Sequence, residues 1–164
     1  MAIPAQATLP TKGAGTQLWR QADGASITTD ADYLNDANWE VMGKLKELTP
    51  NEMTVEEYDD AYLDDDNPEW KNTEAGEKDS GELAFTLAWL PGDPAQKAMV
   101  EELGGAKKHW RVTYPNGAVD GVYGYVSSIG KAVPKKETMT RTGKIRCSGK
   151  PALAETLLGV VVGP

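Results

Sequence analysis

A strongly acidic segment in the first half of the chain most constrains what this sequence can fold into. Between Glu52 and Glu82 it contains thirteen Asp and Glu residues against only Lys71 and Lys78, a local net charge of −11. A stretch with this charge density cannot supply a hydrophobic core, because burying unpaired carboxylates is too costly. The core must therefore come from the other roughly 130 of the 164 residues, which suits one ordinary domain.

The acidic segment also carries large apolar side chains, which a purely solvating segment does not need. They are Tyr58, Tyr62, Leu63 and Trp70. A sequence too charged to fold alone, yet with apolar anchors, is typical of segments that become ordered on a partner. The alternative is a mobile surface loop with a few stray aromatic residues. Because Asp, Asn, Pro and Gly are scattered along the segment, it is predicted to form neither a long helix nor a strand ladder.

Charge is divided between the middle of the chain and its C-terminal half. The whole chain has a net charge of −8, whereas the stretch from Lys107 to Lys150 has ten basic residues against Asp120 and Glu137. A chain this acidic is not expected to bind nucleic acid tightly through its phosphates. Oppositely charged regions on different copies attract each other, so the pattern favours self-association.

The apolar residues outside the acidic segment predict a mainly β fold with one flanking α-helix. The alternation of side chains between two faces is clearest at 82–90 (ELAFTLAWL). Because both faces are largely apolar, this strand is predicted to be covered on both sides. Further strands are predicted at 16–21, 39–48, 109–114, 119–129 and 135–148. A loop is predicted at 21–38 and a turn at 130–133.

The single helix is predicted to begin after the N-cap candidate Asp93, with Pro94 in first position, and to end at Gly104-Gly105. It should pack across a sheet or plug one end of a barrel.

The sequence contains no arrangement of residues typical of an enzyme. Its single histidine, His109, shares a strand face with Arg111 and Thr113, which predicts a solvated face rather than a general base. There is no G-x-S-x-G, H-E-x-x-H or C-x-x-C motif, and the single cysteine, Cys147, cannot form an internal disulfide. Residues 64–67 leave an irregular calcium site open but lack the EF-hand pattern. An assembly protein without catalytic residues, metal or cofactor is therefore favoured.

The two ends of the chain carry no recognisable targeting or membrane segment. Residues 1–15 are rich in Ala, Pro, Thr and Gly and predict an extended arm, with Leu9 as its expected docking residue. No basic and apolar signal peptide follows Met1. The longest apolar run, 157–163, is far too short to cross a bilayer. The chain is therefore expected to be made in a cytoplasm without inserting into a membrane.

Four blocks of the sequence closely resemble the major tail tube proteins of lambda-type, long-tailed non-contractile phages. The blocks are KGAGTQLW (12–19), LTPNEMTVEEYDDAYLDDD (48–66), FTLAWLPGD (85–93) and PNGAVDGVYGYVSSIGKAV (115–133). Together they span nearly the whole chain in collinear order. The resemblance implies a single tail tube domain over 1–164, with a β-sandwich or barrel-like fold and a long acidic stacking loop at 49–80. It also implies extended terminal arms at 1–15 and 149–164.

The same resemblance implies a structural virion protein whose hexameric rings stack into the tail tube, a negatively charged conduit for genome delivery. Implied partners are further copies of this chain, the tail tip or initiator complex, and the tape-measure and tail terminator proteins. Double-stranded DNA is expected to pass without tight binding, after assembly in the host cytoplasm. The immunoglobulin-like domain that follows the lambda tube domain has no counterpart in this sequence, and natural absence is the expectation, with a truncated sequence as the alternative. The alternatives are a ring protein of a secretion or contractile-type tube, and an acidic calcium-dependent binding module.

The anchors and charges together predict an interface between stacked rings. The aromatic residues of the acidic segment are expected to dock on a neighbouring ring, with their carboxylates close to basic residues. The predicted interface comprises Leu9, Tyr58, Tyr62, Leu63, Trp70, Lys131, Lys135, Lys136 and Arg141. Ordering the segment costs conformational entropy, which is expected to hold free subunits back from polymerising. Asp120, next to a predicted hairpin, is predicted to face the lumen.

Overall fold

A computed structural model of the chain describes residues 12–64 and 66–157, and a single antiparallel sheet of seven strands forms its centre. In chain order the strands are β1 (Gln17–Gln21), β2 (Trp39–Val41), β3 (Leu45–Thr49), β4 (Thr54–Asp59), β5 (Thr73–Asp79), β6 (Glu82–Ala88), β7 (Lys108–Thr113), β8 (Val119–Ala132) and β9 (Thr140–Cys147). The α-helices are α1 (Asp30–Leu34), α2 (Pro94–Glu101) and α3 (Ala154–Leu157), and a short 3-10 helix follows α1 at Asp36–Asn38. The order in the sheet is β2-β1-β7-β8-β9-β6-β3, and β4 and β5 form a separate ribbon.

The two edge strands of the large sheet are joined by only three residues, so the sheet must be rolled. β2 pairs with β1 at one edge and β3 pairs with β6 at the other. Within the link, Met42 N–H donates to the Leu18 carbonyl and the Lys44 carbonyl accepts from Ala88 N–H, both at 2.9 Å. Three residues span at most about 11 Å. Gly43, with φ of +78°, makes the bend in a conformation that favours glycine. The fold is thus barrel-like and mainly β, as predicted.

Several strand boundaries differ from those predicted. The single strand predicted at 39–48 is split into β2 and β3 by the bend at Gly43. The turn predicted at 130–133 is wrong for residues 130–132, because β8 continues to Ala132 in register with β9. The final strand begins only at Thr140, and the segment predicted as a loop at 21–38 contains α1. In each case pairing or packing with distant residues outweighs the local sequence signal.

Apolar side chains from alternate strand positions fill the barrel interior, and α2 packs against them. The strand and link residues of this cluster are Leu18, Met42, Leu83, Phe85, Leu87, Trp110, Val112, Val122, Val126, Ile145 and Cys147. α2 adds Ala95 and Met99. The Asp93 side chain caps this helix by accepting from Ala95 N–H at 3.3 Å. Gln96 is buried and donates to the Ala88 carbonyl at 2.9 Å, which fixes α2 to the end of β6. The helix, its N-cap and its first residue agree with the prediction, but it ends at Glu101, before the predicted Gly104-Gly105.

A second apolar cluster covers the outer face of β1, β7 and β8. It comprises Tyr33, Leu34, Trp39, Val119 and Leu157, with Trp19, Ile27 and Ala152 packed against it. α1 and α3 supply its outer layer, so the sheet is covered on this face by two short helices that the sequence did not predict.

This second cluster corrects the prediction of a solvated face on β7. Arg111 is completely buried, with its guanidinium 4.5 Å from the Trp19 ring centroid and 5.5 Å from that of Trp39. Its Nη1 donates to Asp36 Oδ1 at 2.9 Å. His109 Nδ1 lies 2.7 Å from the Tyr33 hydroxyl, and burial lowers the pKa of His109. The prediction was wrong because the unpredicted helix α1 covers this part of β7.

The close pairing of β8 with β7 and β9 gives a stability prediction at Gly124. A Cβ atom there would overlap the Arg146 carbonyl oxygen, a backbone atom that cannot move aside without shifting β9. We expect Gly124→Ala to lower the free energy of unfolding by about 1–3 kcal/mol, measured by urea denaturation. The matched control is Gly92→Ala, whose Cβ has no neighbour within 4 Å and should change stability by less than about 0.5 kcal/mol. Equal effects of the two substitutions would contradict this account of the strand packing.

Candidate functional site

The acidic segment forms a two-stranded antiparallel ribbon, β4 paired with β5, that stands out from the barrel. Pairing runs from Thr54 opposite Asp79 to Asp59 opposite Thr73, and every residue of β4 is exposed. We refer to residues 54–79 as the acidic hairpin. The prediction that this segment forms no ladder was wrong. Its Asn and Pro residues and most of its Asp residues lie in the connection at 60–72. The strands themselves are rich in Glu and Thr, with Val and Tyr only in β4, so their pairing was not evident from β-propensity.

The four predicted anchor residues lie on the acidic hairpin and are exposed to solvent. The exposed fractions are 54% for Tyr58, 65% for Tyr62 and 72% for Trp70, and Leu63 is fully exposed. The Tyr62 hydroxyl donates to Asp60 Oδ1 at 2.9 Å, so this ring is held against the turn while remaining accessible. Large apolar side chains gathered on one exposed segment indicate a surface made for contact with another molecule.

The acidic hairpin is fixed to the barrel at its base. Arg146 Nη2 on β9 donates to both carboxylate oxygens of Asp79, at 2.9 and 2.8 Å. Asp79 Oδ1 also accepts from Gly81 N–H at 3.0 Å. These hydrogen bonds hold the pKa of the Asp79 carboxyl below its ordinary value, and the one from Arg146 has the largest effect. Asn51 Nδ2 donates to the Ser80 carbonyl at 2.8 Å and joins the two chain segments that lead into the hairpin.

The four predicted basic residues come together where β8 turns into β9. Lys131 and Arg141 are directly opposed on the two strands. Lys135 and Lys136 lie exposed in the connection between them. Lys131 Nζ is 4.4 Å from the centroid of the Trp89 ring, which orders this side chain by a cation–π contact. We refer to Lys131, Lys135, Lys136 and Arg141 as the basic end.

The acidic hairpin and the basic end lie at opposite ends of the sheet. The hairpin leaves the barrel next to Glu82, which pairs with Arg146, whereas the basic end lies next to Ala88, which pairs with Thr140. At about 3.4 Å per residue, β6 separates the two by roughly 20 Å. Two copies of the chain can therefore bring opposite charges together when they are placed head to tail.

Asp120 lies in a network that the sequence did not reveal. It is half-buried, and its Oδ2 accepts from the Tyr114 hydroxyl at 2.6 Å while its Oδ1 accepts from Ala154 N–H at 2.7 Å. Burial and, to a smaller extent, the hydrogen bond to Asp120 raise the pKa of Tyr114. The carboxylate thus joins β8 to the start of α3. That it faces a lumen stays a prediction.

The terminal arms are described only in part. Leu9 and residues 1–11 lie outside the described residues, as do 158–164. Of the predicted C-terminal arm, residues 149–157 lie on the barrel of their own subunit. Ala152 exchanges two backbone hydrogen bonds with Gly121, at 2.6 and 2.8 Å, and Leu157 is completely buried.

Two kinds of feature are absent from the described residues. Across 12–64 and 66–157, no three His, Cys, Asp or Glu side chains come close enough together to hold a metal ion. In the same two ranges, none of the helices has the length and apolar character needed to cross a bilayer.

The Asp79–Arg146 contact gives a pH-dependent prediction. Because the folded pKa of Asp79 lies below the unfolded value, its stabilising effect is present above the unfolded pKa, about 3.9, and is lost as pH falls through the folded pKa. We expect Asp79→Asn to speed amide hydrogen exchange of the acidic hairpin at pH 7, with the difference from the unchanged protein shrinking below about pH 4. Glu77→Gln, an exposed carboxylate on the same strand, is the control. If the difference in exchange rate persists unchanged at low pH, the Asp79–Arg146 ion pair is not what stabilises the acidic hairpin.

Three solved structures similar to this chain support the fold. The tail of an empty gene transfer agent particle, refined with C6 symmetry, has a TM-score of 0.66 at 13% identity and covers 88% of this chain and 98% of its own. The sheath/tube terminator structure of an extracellular contractile injection system gives 0.63 at 7% identity, covering 87% and 94%. The SPP1 tail tube gives 0.58 at 14% identity, covering 93% and 87%.

Sequence comparison identifies the family more narrowly than these distant structural similarities can. Among curated protein sequences, none matches this chain significantly. The family profile described as "Lambda phage tail tube protein, TTP" matches residues 23–154, which include the acidic hairpin, the basic end and the whole barrel except β1. The chain therefore belongs to the lambda phage tail tube protein family, the structural proteins that form the tail tube of phage virions.

Proposed function

We propose that this protein polymerises as stacked hexameric rings into a phage tail tube that conducts the genome into the host. The observation that carries the proposal is the placement of the acidic hairpin and the basic end at opposite ends of one sheet. A contact between two different surfaces on successive copies can repeat without closing, and this produces an open filament. The C6 symmetry of the similar gene transfer agent tail supports six subunits in each ring.

The apolar anchors contribute more to the proposed stacking contact than the charges do. Full burial of a side chain such as Leu63 or Trp70 contributes roughly 1.5–3 kcal/mol. An ion pair at a solvated rim contributes about 0–1 kcal/mol. The opposite charges of the acidic hairpin and the basic end instead orient approaching copies and reject wrong arrangements. Leu9 belongs to the same proposed contact on the basis of sequence alone.

The low intrinsic stability of the two-stranded β4–β5 ribbon gives a reason why free subunits do not polymerise on their own. A two-stranded hairpin is marginally stable by itself, so fixing its tip on a neighbour costs conformational entropy that a single contact does not recover. Free subunits are then held back from polymerising until a tail tip or initiator complex presents an ordered docking surface. Tape-measure and tail terminator proteins are the further partners that we propose, with assembly in the host cytoplasm.

The proposed conduit holds DNA away from its wall by like charge. Six copies of a chain with net charge −8 would repel phosphates over about 8 Å at physiological salt, so double-stranded DNA passes without tight binding. Asp120 remains the proposed lumen residue. Its half-buried position and its bonds to Tyr114 and Ala154 make it a weaker contributor than a fully exposed carboxylate. We propose no catalytic role for the protein.

A contractile-type or secretion tube is the second candidate function. The similar sheath/tube terminator structure belongs to an extracellular contractile injection system, so the fold is compatible with a contractile-type assembly as well. The match to the lambda family favours the non-contractile one.

Removing the acidic hairpin tests the proposed function directly. We expect a chain in which residues 55–78 are replaced by a short turn to remain a folded monomer, because every residue of β4 is exposed and outside both apolar clusters. Circular dichroism and urea unfolding check the fold. Negative-stain electron microscopy of concentrated protein, with and without tail-tip complex, checks for tubes, which should be absent.

A charge reversal provides the matched test on the other surface. Lys135→Glu with Lys136→Glu should abolish tube formation, because it places like charges opposite the neighbouring acidic hairpin. Lys107→Glu, at an exposed lysine just before the start of β7 and away from the basic end, should leave tube formation intact. Tubes formed by the hairpin deletion, or by the double reversal, would exclude this stacking contact.

A further inference from the structure

An apolar groove at the base of the acidic hairpin takes no part in the proposed stacking contact. The groove has a volume of about 630 Å³ and lies between the start of β4, the end of β5 and residues 149–153. Met53 and Val55 line one side and are each 50% exposed, and Pro151 and Leu153 line the other. An accessible apolar surface of this kind indicates contact with another molecule.

The rim of the groove is basic, although the groove lies at the acidic end of the sheet. Lys78 and Lys150 line it, and both are exposed. The carboxylate that lines it, Asp79, is already bonded to Arg146. A complementary partner therefore combines apolar side chains with a carboxylate. The acidic hairpin of another copy fits less well, because its many carboxylates would meet those of the hairpin beside the groove.

Charge distinguishes between two other apolar patches that a second copy can offer. Outside the acidic hairpin and the groove, the large apolar side chains with the greatest exposure in the described residues are Val133, Leu103, Val100 and Met139, at 70%, 50%, 43% and 42%. Val133 and Met139 lie beside the basic end, whose lysines would meet the lysines of the groove. Val100 and Leu103 lie at the end of α2 beside the exposed Glu101. The end of α2 is therefore the complementary surface.

The groove and the end of α2 face different neighbours because they lie on opposite sides of β8. Ala152, which lies between two lining residues of the groove, pairs with Gly121 on the side of β8 away from β7. Leu103 pairs with Val126 on the side of β8 away from β9. The two surfaces therefore meet between different copies of the chain.

The two surfaces also lie at about the same level along the sheet. Val126, beside Leu103, is opposite Ile145 on β9, and Ile145 is opposite Leu83, the second residue of β6. The groove extends to Ser80, which comes shortly before the start of β6. A contact between surfaces at one level joins subunits side by side, whereas the stacking contact joins opposite ends of the sheet.

We propose that the end of α2 of one subunit docks in this groove of its neighbour within the same ring. Val100 and Leu103 cover the apolar lining, and Glu101 faces the lysines at the rim. Because the two surfaces differ, the contact repeats from copy to copy and forms a ring when the rotation between copies closes. The inference rests on the proposed function, which supplies the six-membered ring, and it names the surfaces that hold the ring together.

Cross-linking between unlike positions of the full chain tests this contact. Thr54→Cys places a thiol in the groove, and Lys97→Cys places one on the exposed face of α2, one turn before Glu101, so the contacting side chains stay intact. We expect a short bismaleimide to link the double variant into a ladder that ends at the hexamer on a denaturing gel. Within one chain the two positions lie near opposite ends of β6, roughly 20 Å apart, which is too far to be linked.

The controls use the same reaction. Each single-cysteine variant should give about tenfold less product, because a contact between unlike surfaces does not bring identical positions together. Thr54→Cys with Val133→Cys, at the far end of the sheet, should give a similarly low yield of hexamer. The native thiol of Cys147 does not interfere, because it is buried and burial raises its pKa to about 11.

Three results would overturn the inference. They are no ladder, a yield equal to that of the control pair, and a ladder that continues past the hexamer, which would place the contact between rings. Electron microscopy of the double variant before cross-linking keeps the proposed function separate. Tubes without a ladder would exclude this contact alone, whereas a ladder ending at the hexamer without tubes would support this contact and contradict the proposed stacking.

A charge exchange in the same double-cysteine chain provides a second measurement. Glu101→Lys should lower the yield of hexamer about tenfold, because it places a cation against Lys78 and Lys150. Adding Lys78→Glu and Lys150→Glu should restore the yield, which a loss of folding would not allow. No recovery would contradict the inference, because the choice of α2 depends on this charge pairing.

Discussion

The three-residue link at Gly43 is the constraint on which the rest of the structure depends. By hydrogen-bonding to β1 on one side and β6 on the other, the backbone of Met42 and Lys44 joins the two edges of the large sheet. An open sheet of this size would present two rows of unpaired backbone groups to every other copy. The short link holds β2 and β3 close together, although these strands pair with β1 and β6 and not with each other. The rolled shape of the sheet, and with it the enclosed apolar core, follows from this link.

Two buried arginines change how the charge of the chain is distributed. Arg20 is 2% exposed and bonds to Glu40 at 2.6 Å and to Glu102 at 2.5 Å, so it joins β1, β2 and the end of α2. Arg111 is paired with Asp36 beneath α1. Desolvation of each buried guanidinium offsets the attraction in these pairs, so they contribute little net stability, but removing a carboxylate partner leaves an uncompensated buried charge. Of the two, only Arg111 belongs to the basic stretch from Lys107 to Lys150, and its pairing with Asp36 makes the basic surface there smaller than the sequence balance suggests.

The surface charge that remains is arranged in a way that fits a polymer. Lys131, Lys135, Lys136 and Arg141 are neighbours at one end of the sheet, and the carboxylates of the acidic hairpin are gathered beyond the other. Asp79, the carboxylate nearest the barrel, is already bonded to Arg146. It holds the hairpin in place, while the carboxylates further along remain available to a neighbour.

The sequence by itself determined the elements whose signals are local. Alternation located β6 and the inner face of β7, capping chemistry located α2, and charge with aromatic residues marked the acidic hairpin and the basic end as the surfaces of interest. Only the tertiary structure decided that the acidic segment is a ribbon, that Arg111 is buried, and that Asp120 supports α3. Each of these depends on residues far apart in the chain, because strand pairing and the covering of one face by a distant helix leave no period in the local sequence. Amino-acid composition predicted which regions carry opposite charges, and long-range pairing decided that these two charged surfaces lie at opposite ends of the sheet.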